Sequence, residues 1–361
     1  MTSNVIRVGF IGLNPDSHWA ATAHMPALAS LKDQFEVVGV ANSSAESAQR
    51  SAEAYGLAHA FPDADALVAS PEVDLVVVTV KVPHHHSLVT KALKAGKHVY
   101  CEWPLGNGLA EAEELADLAR RQGVIAAIGT QARVAPEVLH LRRLIEDGFV
   151  GQVLSTSIIA DGGHWADRTS ADLAYLYDAA NGATMLMIPF AHTLAALRDV
   201  LGDVEQFSAD LSIRRPMVTI EDTGETFEKT AADEITATGR LVDGTALSMH
   251  YRGGLSHGTR LLWEIHGSEG DIRITGDNGH AQIVQLSLEG ARAGDQARYS
   301  VMPPESDYTD LPDTSVARNV AGVYARIADD IANDTRTAPN FDEAVALHRI
   351  LDNLTHSVHG K

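Results

Sequence analysis

The stretch Val5-Ile-Arg-Val-Gly-Phe-Ile-Gly12 decides the fold, because it is a nearly continuous apolar run that ends on a glycine. Such a run is typical of a strand that is buried on both faces of a sheet. Similar runs recur in the first 130 residues and alternate with helical stretches, of which Leu109–Gln122 is the clearest. The strand candidates are residues 5–11, 35–41, 73–80, 98–101 and 124–128. This alternation predicts βαβ units in a doubly wound parallel sheet, with a ligand crevice at the carboxyl ends of the strands.

The pattern changes after residues 136–147, which predict one more helix. A series of strand candidates then follows, with one clear helical stretch, residues 183–201, after the first of them. They are residues 152–159, 207–213, 234–242, 245–252, 261–266, 270–274 and 281–288. We therefore predict an α/β domain over residues 1–135 and an α+β domain over residues 136–361, with a mostly antiparallel open sheet. The last helices, residues 315–333 and 341–360, are expected to pack back on the core, and the open sheet face to form a dimer or tetramer interface.

Composition excludes several classes of protein. Acidic residues outnumber basic ones by 48 to 28, so the formal charge of -20 disfavours binding to nucleic acid or to an anionic membrane. No apolar run approaches the roughly 20 residues that cross a bilayer. Strand-like sequence follows the first four residues directly, so we expect no signal peptide. The single cysteine, Cys101, fits a reducing cytoplasm.

The turn after the first strand resembles a phosphate-binding loop. In a G-x-G-x-x-G motif, the glycines let the backbone approach a pyrophosphate at a helix N-terminus. Here Gly12 is kept, Asn14 stands at the second position, and Ala21 takes the third after a short insertion. Such a turn is equally typical of an ordinary strand-to-helix connection, but its place after the first strand favours a dinucleotide. The residues assigned to this half of the cofactor site are Gly12, Leu13, Asn14, Trp19, Asn42 and Ser43.

The second strand ends in Asn42-Ser-Ser44, where such folds usually carry an acid that binds the adenosine ribose. Without that carboxylate, NADP is not excluded. No arginine stands beside Asn42 to bind a 2′-phosphate, however, so the sequence favours NAD.

Several motifs resemble those of the glucose-fructose oxidoreductase, inositol dehydrogenase and MocA superfamily over nearly the whole chain. They are Ala92-Leu-Lys-Ala-Gly-Lys-His-Val-Tyr-Cys-Glu102, Leu144-Ile-Glu-Asp-Gly-Phe-Val-Gly-Gln152 and Ile265-His-Gly-Ser-Glu-Gly-Asp271. More narrowly, the chain resembles the branch named for the fungal galactose-regulon repressor. The motifs of that branch are Val80-Lys-Val-Pro-His-His-His86, Glu102-Trp103, Tyr175-Leu-Tyr-Asp178 and Ala346-Leu-His-Arg-Ile-Leu-Asp352.

The resemblance implies an N-terminal Rossmann domain, and it also shows where the usual catalytic groups are missing. Dehydrogenases of the superfamily carry Glu-Lys-Pro after the strand that matches residues 98–101, and the lysine pairs with an Asp-x-x-x-His motif to relay the hydroxyl proton. Here Glu102 is kept and Trp103 stands at the lysine position. In the second motif His192 is kept and Ile188 stands at the aspartate position. Trp103 has one N–H donor and cannot exchange a proton, so we expect it to line the cofactor and position a sugar ring.

His192 is the first candidate for the base that sugar oxidation requires, since a neutral imidazole accepts a proton near physiological pH. A lone histidine on an apolar helix is otherwise typical of a hydrogen-bonded core residue. Tyr175, Tyr177 and Asp178 form a second candidate group, which could hand a proton to a leaving group. Tyr-x-Tyr is equally typical of two rings packed on one side of an extended segment.

The remaining candidates lie on loops that face the crevice in this fold. His164 is a further acid-base candidate, Trp165 could stack on a sugar face, and Arg168 could bind an anion, unless the loop is merely solvated. Arg133 is expected to bind substrate, with a helix-start salt bridge as the alternative. Lys81, His85, Glu102, Trp103 and Gln131 are expected to border the cofactor. The triple His84-His85-His86 does not predict a metal site, because successive side chains point in different directions.

Two functions are supported by features of this sequence, whereas a third, a structural subunit that keeps the enzyme scaffold, has no feature of its own in support. The first is an NAD-dependent enzyme that oxidises a sugar ring hydroxyl, at C3 for preference. It would act as a redox-neutral glycosidase like the sulfoquinovosidases of the superfamily, or as a simple sugar dehydrogenase. The second is a dinucleotide-binding transcriptional regulator that acts through protein contacts, as the fungal repressor does. The retained ionisable residues favour the enzyme, and the two lost relay residues favour the regulator.

Overall fold

The computed structural model describes residues 5–16 and 19–357. Two compact units divide the chain, Met1–Gln131 with Asp310–His348 and Ala132–Thr309 with Arg349–Lys361. The first unit therefore contains a C-terminal segment that lies far from the N-terminal sheet in sequence. This segment includes a helix, Ser315–Asn333, whose Val320, Tyr324 and Ile327 are buried.

The first unit contains a six-stranded parallel sheet, which confirms the doubly wound prediction. Its strands in chain order are β1 (Ile6–Ile11), β2 (Phe35–Ala41), β3 (His59–Ala60), β4 (Leu75–Val78), β5 (His98–Glu102) and β6 (Ala126–Gly129). The spatial order is β3-β2-β1-β4-β5-β6, so the order reverses between β1 and β4. Val8 and Phe10 of β1 and all of β4 are fully enclosed, as expected for a sheet that is covered on both faces. Dinucleotides bind at such a reversal, at the carboxyl ends of the strands.

The second unit contains a mostly antiparallel eight-stranded sheet, which confirms the second part of the fold prediction. Its order is β17-β16-β15-β14-β7-β13-β12-β9, and β7 and β13 form a parallel pair. A small sheet, β11-β10-β8, was not anticipated from the sequence. The strands are β7 (Val153–Asp161), β8 (Arg168–Thr169), β9 (Val204–Ser212), β10 (Met217–Ile220), β11 (Thr226–Glu228), β12 (Glu234–Leu241), β13 (Ala246–Arg252), β14 (Leu261–Gly267), β15 (Gly270–Gly276), β16 (Ser287–Arg292) and β17 (Tyr299–Ser300).

The α-helices agree with the predicted stretches at most positions. They are α1 (Met25–Ser30), α2 (Ala45–Tyr55), α3 (Ala64–Ala69), α4 (His85–Lys94), α5 (Leu109–Gln122), α6 (Pro136–Glu146), α7 (Ala191–Leu201), α8 (Ser315–Asn333) and α9 (Phe341–Ser357). The predicted helix over residues 341–360 is observed as far as Ser357, and residues 358–361 lie outside the described part of the chain.

Two predicted elements differ from the structure for identifiable reasons. The strand predicted over residues 281–288 begins only at Ser287, because Ala281, Val284 and Leu286 are buried from a turn rather than from a strand. The helix predicted over residues 183–201 is α-helical only from Ala191. A π-helical turn, Leu186–Phe190, precedes it and contains Pro189, whose missing N–H interrupts regular helical hydrogen bonding.

The segment Ala179–Leu201 has the length and the mean hydropathy, 1.2, of a membrane span, contrary to the expectation that no such run exists. Buried residues make up 67% of its most apolar window. This burial is typical of a core helix, and α7 accordingly contributes His192, Leu194 and Leu197 to the interior of the second unit.

Candidate functional site

The glycine turn of the first unit is built for close approach to its backbone. Gly12 has a φ of +107°, and a Cβ at this position would lie 2.7 Å from Val80 Cγ1. The Gly12 N–H donates to Ala41 O, and the Thr79 hydroxyl donates to Gly12 O. Only glycine fits this conformation. Ser17 and His18, which follow in the sequence, are outside the described residues.

Asn42 holds this turn in place from the end of β2. Its amide Nδ2 donates to Leu13 O at 2.8 Å, and lies 3.2 Å from Ser47 Oγ and 3.1 Å from Ser51 Oγ. A carboxylate could not donate to the Leu13 carbonyl. Asn42 therefore positions the turn, and Ser43 beside it is exposed.

A buried hydrogen-bond network surrounds Glu102, at the end of β5. His24 Nε2 lies 3.1 Å from Glu102 Oε1, and His24 Nδ1 lies 2.8 Å from the Tyr324 hydroxyl. Gln131 Nε2 donates to Glu102 Oε2 at 3.2 Å. A Cβ at Gly129 would lie 2.6 Å from Glu102 Oε1, so glycine leaves the room that this carboxylate occupies. Sequence reasoning missed His24 and Tyr324, which lie far apart in the chain.

Trp103 is not an open platform within the first unit. Its ring is only 6% exposed and packs against His348 of α9, with 4.5 Å between ring centroids. The expectation that Trp103 offers a free face to a sugar is therefore revised, because His348 covers the ring. Burial lowers the pKa of His348 to about 4. Trp103 and Pro104 are joined by a cis peptide bond.

His85 lies between the backbone that follows β4 and the backbone that follows β5. Its Nδ1 lies 2.7 Å from Pro104 O and its Nε2 lies 2.9 Å from Val80 O. A neutral imidazole donates to only one of these carbonyls, and burial lowers the pKa of His85, which disfavours the doubly donating form. His85 is thus a structural residue in this unit, while Lys81 nearby is exposed.

The polar atoms that this unit leaves buried fit a dinucleotide. Trp19 Nε1, Thr130 Oγ1 and Gln131 Oε1 are buried without a hydrogen-bond partner among the described residues. A buried polar atom that lacks a partner is costly, so a ligand with both donors and acceptors would relieve all three. Together with the Gly12 turn, these atoms could hold such a cofactor.

In the second unit, His192 near the start of α7 is the main acid-base candidate. It is 4% exposed, and its Nδ1 is buried without a partner. Burial, with a smaller contribution from His280, lowers the pKa of His192 to about 3. The imidazole is therefore neutral at ordinary pH and can accept a hydrogen bond.

His280, which sequence reasoning missed, belongs to the same region of the second unit. Its Nε2 lies 2.6 Å from Gly162 O, and burial lowers its pKa to about 4. The exposed His164 lies 6.3 Å from it, ring to ring. In the sequence, the neighbouring Gly279 is the one feature that could have pointed to this position. A Cβ at Gly279 would lie 1.7 Å from Asp161 O, which indicates that two backbone segments meet there.

Trp165 is fully buried, so its predicted role as a sugar-stacking ring is not supported by its position. Its Nε1 donates to Leu176 O at 2.9 Å, and its ring stacks on His280 with 6.2 Å between centroids. Lys229 Nζ donates to Trp165 O at 2.8 Å and pairs with Asp233 at 2.7 Å. This buried pair holds the loop in which Trp165 has a φ of +61°.

In the group of Tyr175, Tyr177 and Asp178, the last two side chains hold the local fold by hydrogen bonds, and all three line a cleft. Tyr177 is buried, and its hydroxyl donates to Arg168 O at 3.0 Å. Asp178 accepts hydrogen bonds from the Ala180 N–H and the Thr230 hydroxyl. A cleft of about 430 Å³ is lined by Ala174, Tyr175, Tyr177, Asp178, Asn181, Phe227, Glu228 and Thr230. Burial raises the pKa of Tyr175, which keeps its hydroxyl protonated and able to donate.

Comparison with known proteins identifies the family. Residues 6–130 match the model of the oxidoreductase family with an NAD-binding Rossmann fold, and residues 136–276 match that of the Gal80p C-terminal domain. The dehydrogenase aclE of Aspergillus oryzae is 30% identical, over 98% of this chain and 96% of that protein. The chain belongs to the Gfo/Idh/MocA oxidoreductase family.

Family members with a regulatory name are about as similar to this chain. The galactose/lactose metabolism regulatory protein of Kluyveromyces lactis is 31% identical, over 80% of this chain and 67% of that protein. The crystal structure of the transcriptional regulator Gal80p from the same organism superposes with a TM-score of 0.87, at 28% identity, over 99% of this chain and 90% of that one. The Rossmann domain of the chain is thus NAD-binding, and the relatives include both enzymes and regulators.

Both candidate substrate arginines of this chain lie close to carboxylates. Arg133 forms a two-pronged pair with Asp199, at 2.7 and 3.0 Å. Arg168 is exposed and lies 3.5 Å from Glu221, at the limit of a hydrogen bond. Arg133 therefore forms a salt bridge, which is the alternative to substrate binding given in the sequence analysis. Among residues 5–16 and 19–357, no group of three or more His, Cys, Asp and Glu side chains could hold a metal ion.

Replacing Trp103 with lysine should not restore an ordinary dehydrogenase. Ile188 leaves the lysine without its aspartate, and His348 covers the position in which the ammonium would be buried. We expect no sustained NADH formation by Trp103→Lys with glucose, galactose, xylose or inositol, and a lower unfolding temperature. Trp103→Phe, which keeps a ring against His348, is the matched control. Sustained NADH formation by Trp103→Lys would contradict this account.

Proposed function

We propose that this chain is an NAD-dependent enzyme that oxidises a ring hydroxyl, at C3 for preference, of a sugar or glycoside. The observation that carries the proposal is His192, a buried imidazole whose Nδ1 has no partner among the described residues. A buried polar group without a hydrogen-bond partner costs about 1–3 kcal/mol. A protein that binds no ligand at this place would have no reason to retain such a group. The similarity to a named dehydrogenase over nearly the full length of both chains supports an enzyme.

The missing lysine and aspartate favour a redox-neutral cycle over net oxidation. A bound NAD would supply the hydride acceptor. A net dehydrogenase must pass the hydroxyl proton to solvent in each turnover, and Trp103 and Ile188 stand where the resemblance places the relay for that proton. In a redox-neutral cycle the proton and the hydride both return to the sugar, so no net proton leaves the site.

We further propose that the chain acts as a glycosidase through such a cycle. Oxidation at C3 acidifies the C2–H, whose loss lets the anomeric group leave by elimination; water then adds at C1, C2 takes up a proton, and the hydride returns to C3. His164 and Tyr175 are the candidate donors to the leaving group. His164 is exposed, and Tyr175 lines the cleft of the second unit. Sulfoquinovosides are the anionic substrates to test, because Arg168 is exposed and its ion pair with Glu221 is weak.

The alternative function is a dinucleotide-binding transcriptional regulator. Its support is the loss of the lysine and the aspartate at Trp103 and Ile188, and the match of residues 136–276 to the Gal80p C-terminal domain. The unpartnered Nδ1 of His192 speaks against it. Specific capture of a transcription factor, together with inert sugar assays, would reverse the order of the two proposals.

We also propose that the open sheet face of the second unit forms a dimer or tetramer contact. Leu154 and Ile159 of β7 are 52% and 42% exposed, and a contact between copies of the chain would cover such apolar side chains.

We propose a cytoplasmic location as well. It is supported by the single cysteine of the sequence, Cys101, which is buried and free.

Turnover of aryl glycosides tests the proposed function. We expect release of the phenol only when NAD is present, without a matching rise in NADH absorbance. His192→Gln should lower turnover by at least about 100-fold if the imidazole handles the hydroxyl proton, whereas His86→Gln, at a half-buried histidine paired with Glu114, should not. Absence of turnover with every sugar and glycoside in the panel would sink the enzyme. Steady NADH formation would select a simple dehydrogenase.

A further inference from the structure

We propose that Gln131 recognises the carboxamide of the NAD nicotinamide, and that Tyr324 and His24 position it through Glu102. The proposal concerns binding and not turnover, so it stands or falls independently of the proposed reaction. It rests on a hydrogen-bond network whose direction can be worked out from the chemistry of its members.

The direction of the network begins at Glu102, whose carboxylate only accepts hydrogen bonds. His24 Nε2, at 3.1 Å from Oε1, must therefore carry the hydrogen. In the neutral imidazole Nδ1 then has a lone pair, and the Tyr324 hydroxyl donates to it at 2.8 Å. Burial raises the pKa of Tyr324 well above its usual range, so this hydroxyl keeps its proton.

The same carboxylate determines the orientation of the Gln131 amide. Glu102 Oε2 accepts from Gln131 Nε2 at 3.2 Å, and a flipped amide would instead bring two acceptor oxygens together. Gln131 Oε1 must therefore point away from Glu102. This oxygen is buried and has no partner among the described residues, and the side chain is fully enclosed. The network thus ends in one buried acceptor that requires an N–H donor.

The position of Gln131 indicates which N–H group of the cofactor it meets. Gly12 and Asn42 lie at the ends of β1 and β2, on the side of the sheet where the adenosine half of a dinucleotide binds. Gln131 and Glu102 follow the ends of β6 and β5, on the other side of the reversal in strand order. The nicotinamide half lies there in folds of this type, and its N–H donor is the carboxamide.

The 3-acetylpyridine analogue of NAD tests this assignment, because it keeps the carbonyl and replaces the carboxamide NH₂ with a methyl group. Dissociation constants of NAD and the analogue are measured by calorimetry with the full chain. We expect the wild type to bind NAD about 10-fold more tightly. Gln131→Met should weaken NAD binding and bring the ratio of the two constants close to one. Gln122→Met, an exposed glutamine at the end of α5, is the matched control and should keep the wild-type ratio.

Tyr324→Phe tests the positioning role, because it keeps the ring and removes only the donor to His24 Nδ1. We expect a ratio between those of the wild type and Gln131→Met, with the adenosine affinity, measured with ADP-ribose, unchanged. The comparison of NAD with the analogue needs no variant, so it remains decisive even if a variant fails to fold. Equal binding of NAD and the analogue by the wild type, or an unchanged ratio in Gln131→Met, would overturn the proposal.

Discussion

The protein should lose stability steeply as the pH is lowered from 8 to 5. His192, His280 and His348 are buried, and burial lowers their pKa values to about 3, about 4 and about 4. In the unfolded chain each takes up a proton at a pKa near 6.5, so between about pH 6.5 and pH 4 the unfolded state binds more protons than the native state. The free energy of unfolding therefore has its full value above about pH 6.5 and decreases as the pH is lowered. At pH 5 each histidine costs about 2 kcal/mol, or about 6 kcal/mol for the three together.

Urea unfolding at pH 8, 6.5 and 5 measures this effect. His348→Leu should remove about 2 kcal/mol of the loss at pH 5, since burial alone lowers the pKa of His348 and no charged partner is lost. His86→Gln, at a half-buried histidine paired with Glu114, should leave it unchanged. A free energy of unfolding that is flat between pH 8 and 5 would show that these imidazoles are hydrated in the native protein.

Replacing Lys229 with methionine should destabilise the second unit by about 3–5 kcal/mol, the usual cost of breaking a buried ion pair. Lys229 Nζ pairs with Asp233 and donates to the carbonyls of Trp165 and Ala166, at 2.7, 2.8 and 3.0 Å. Neither side chain of the ion pair is exposed. Among the residues that the structure describes, the substitution leaves the buried Asp233 charge with the Arg214 and Arg215 N–H groups as its donors.

Urea unfolding, followed by tryptophan fluorescence, measures the loss. Lys91→Met is the matched control, because Lys91 is exposed and pairs with Asp65 on the surface, where such pairs contribute about 0–1 kcal/mol. Lys229→Met/Asp233→Leu should recover part of the loss, since it removes the unpaired charge. A change below about 1 kcal/mol in Lys229→Met would contradict the role assigned to this pair.

The sequence predicts the architecture well, because the spacing of apolar residues along a strand indicates directly whether one or both faces of the sheet are buried. Val5–Ile11 and its successors form the predicted parallel sheet, and Gly12 occupies the positive φ that its motif requires. The sequence did not predict the short strands β8, β10 and β11, because a strand of two to four residues is too short to show a recognisable pattern of apolar and polar residues.

The candidate site is predicted less well, because a sequence shows which residues are present and not which surfaces are covered. Trp103 and Trp165 were expected to face a sugar, but His348 covers the first, and His280 and a hydrogen bond to Leu176 bury the second. Arg133 was expected to bind substrate, but it pairs with Asp199 of α7. His24, Tyr324 and His280 were missed because each becomes significant only through a partner that is distant in the chain.

The central claim is that the lost lysine relay was replaced by chemistry that returns the hydride to the sugar. The most direct test is to cleave an aryl glycoside with the NAD-loaded protein in D₂O and to locate deuterium in the released sugar by NMR. The account predicts cleavage with deuterium at C2, since that hydrogen is lost and regained from solvent, and no accumulation of NADH. Cleavage without deuterium at C2, or oxidation of the sugar with stoichiometric NADH, would contradict it.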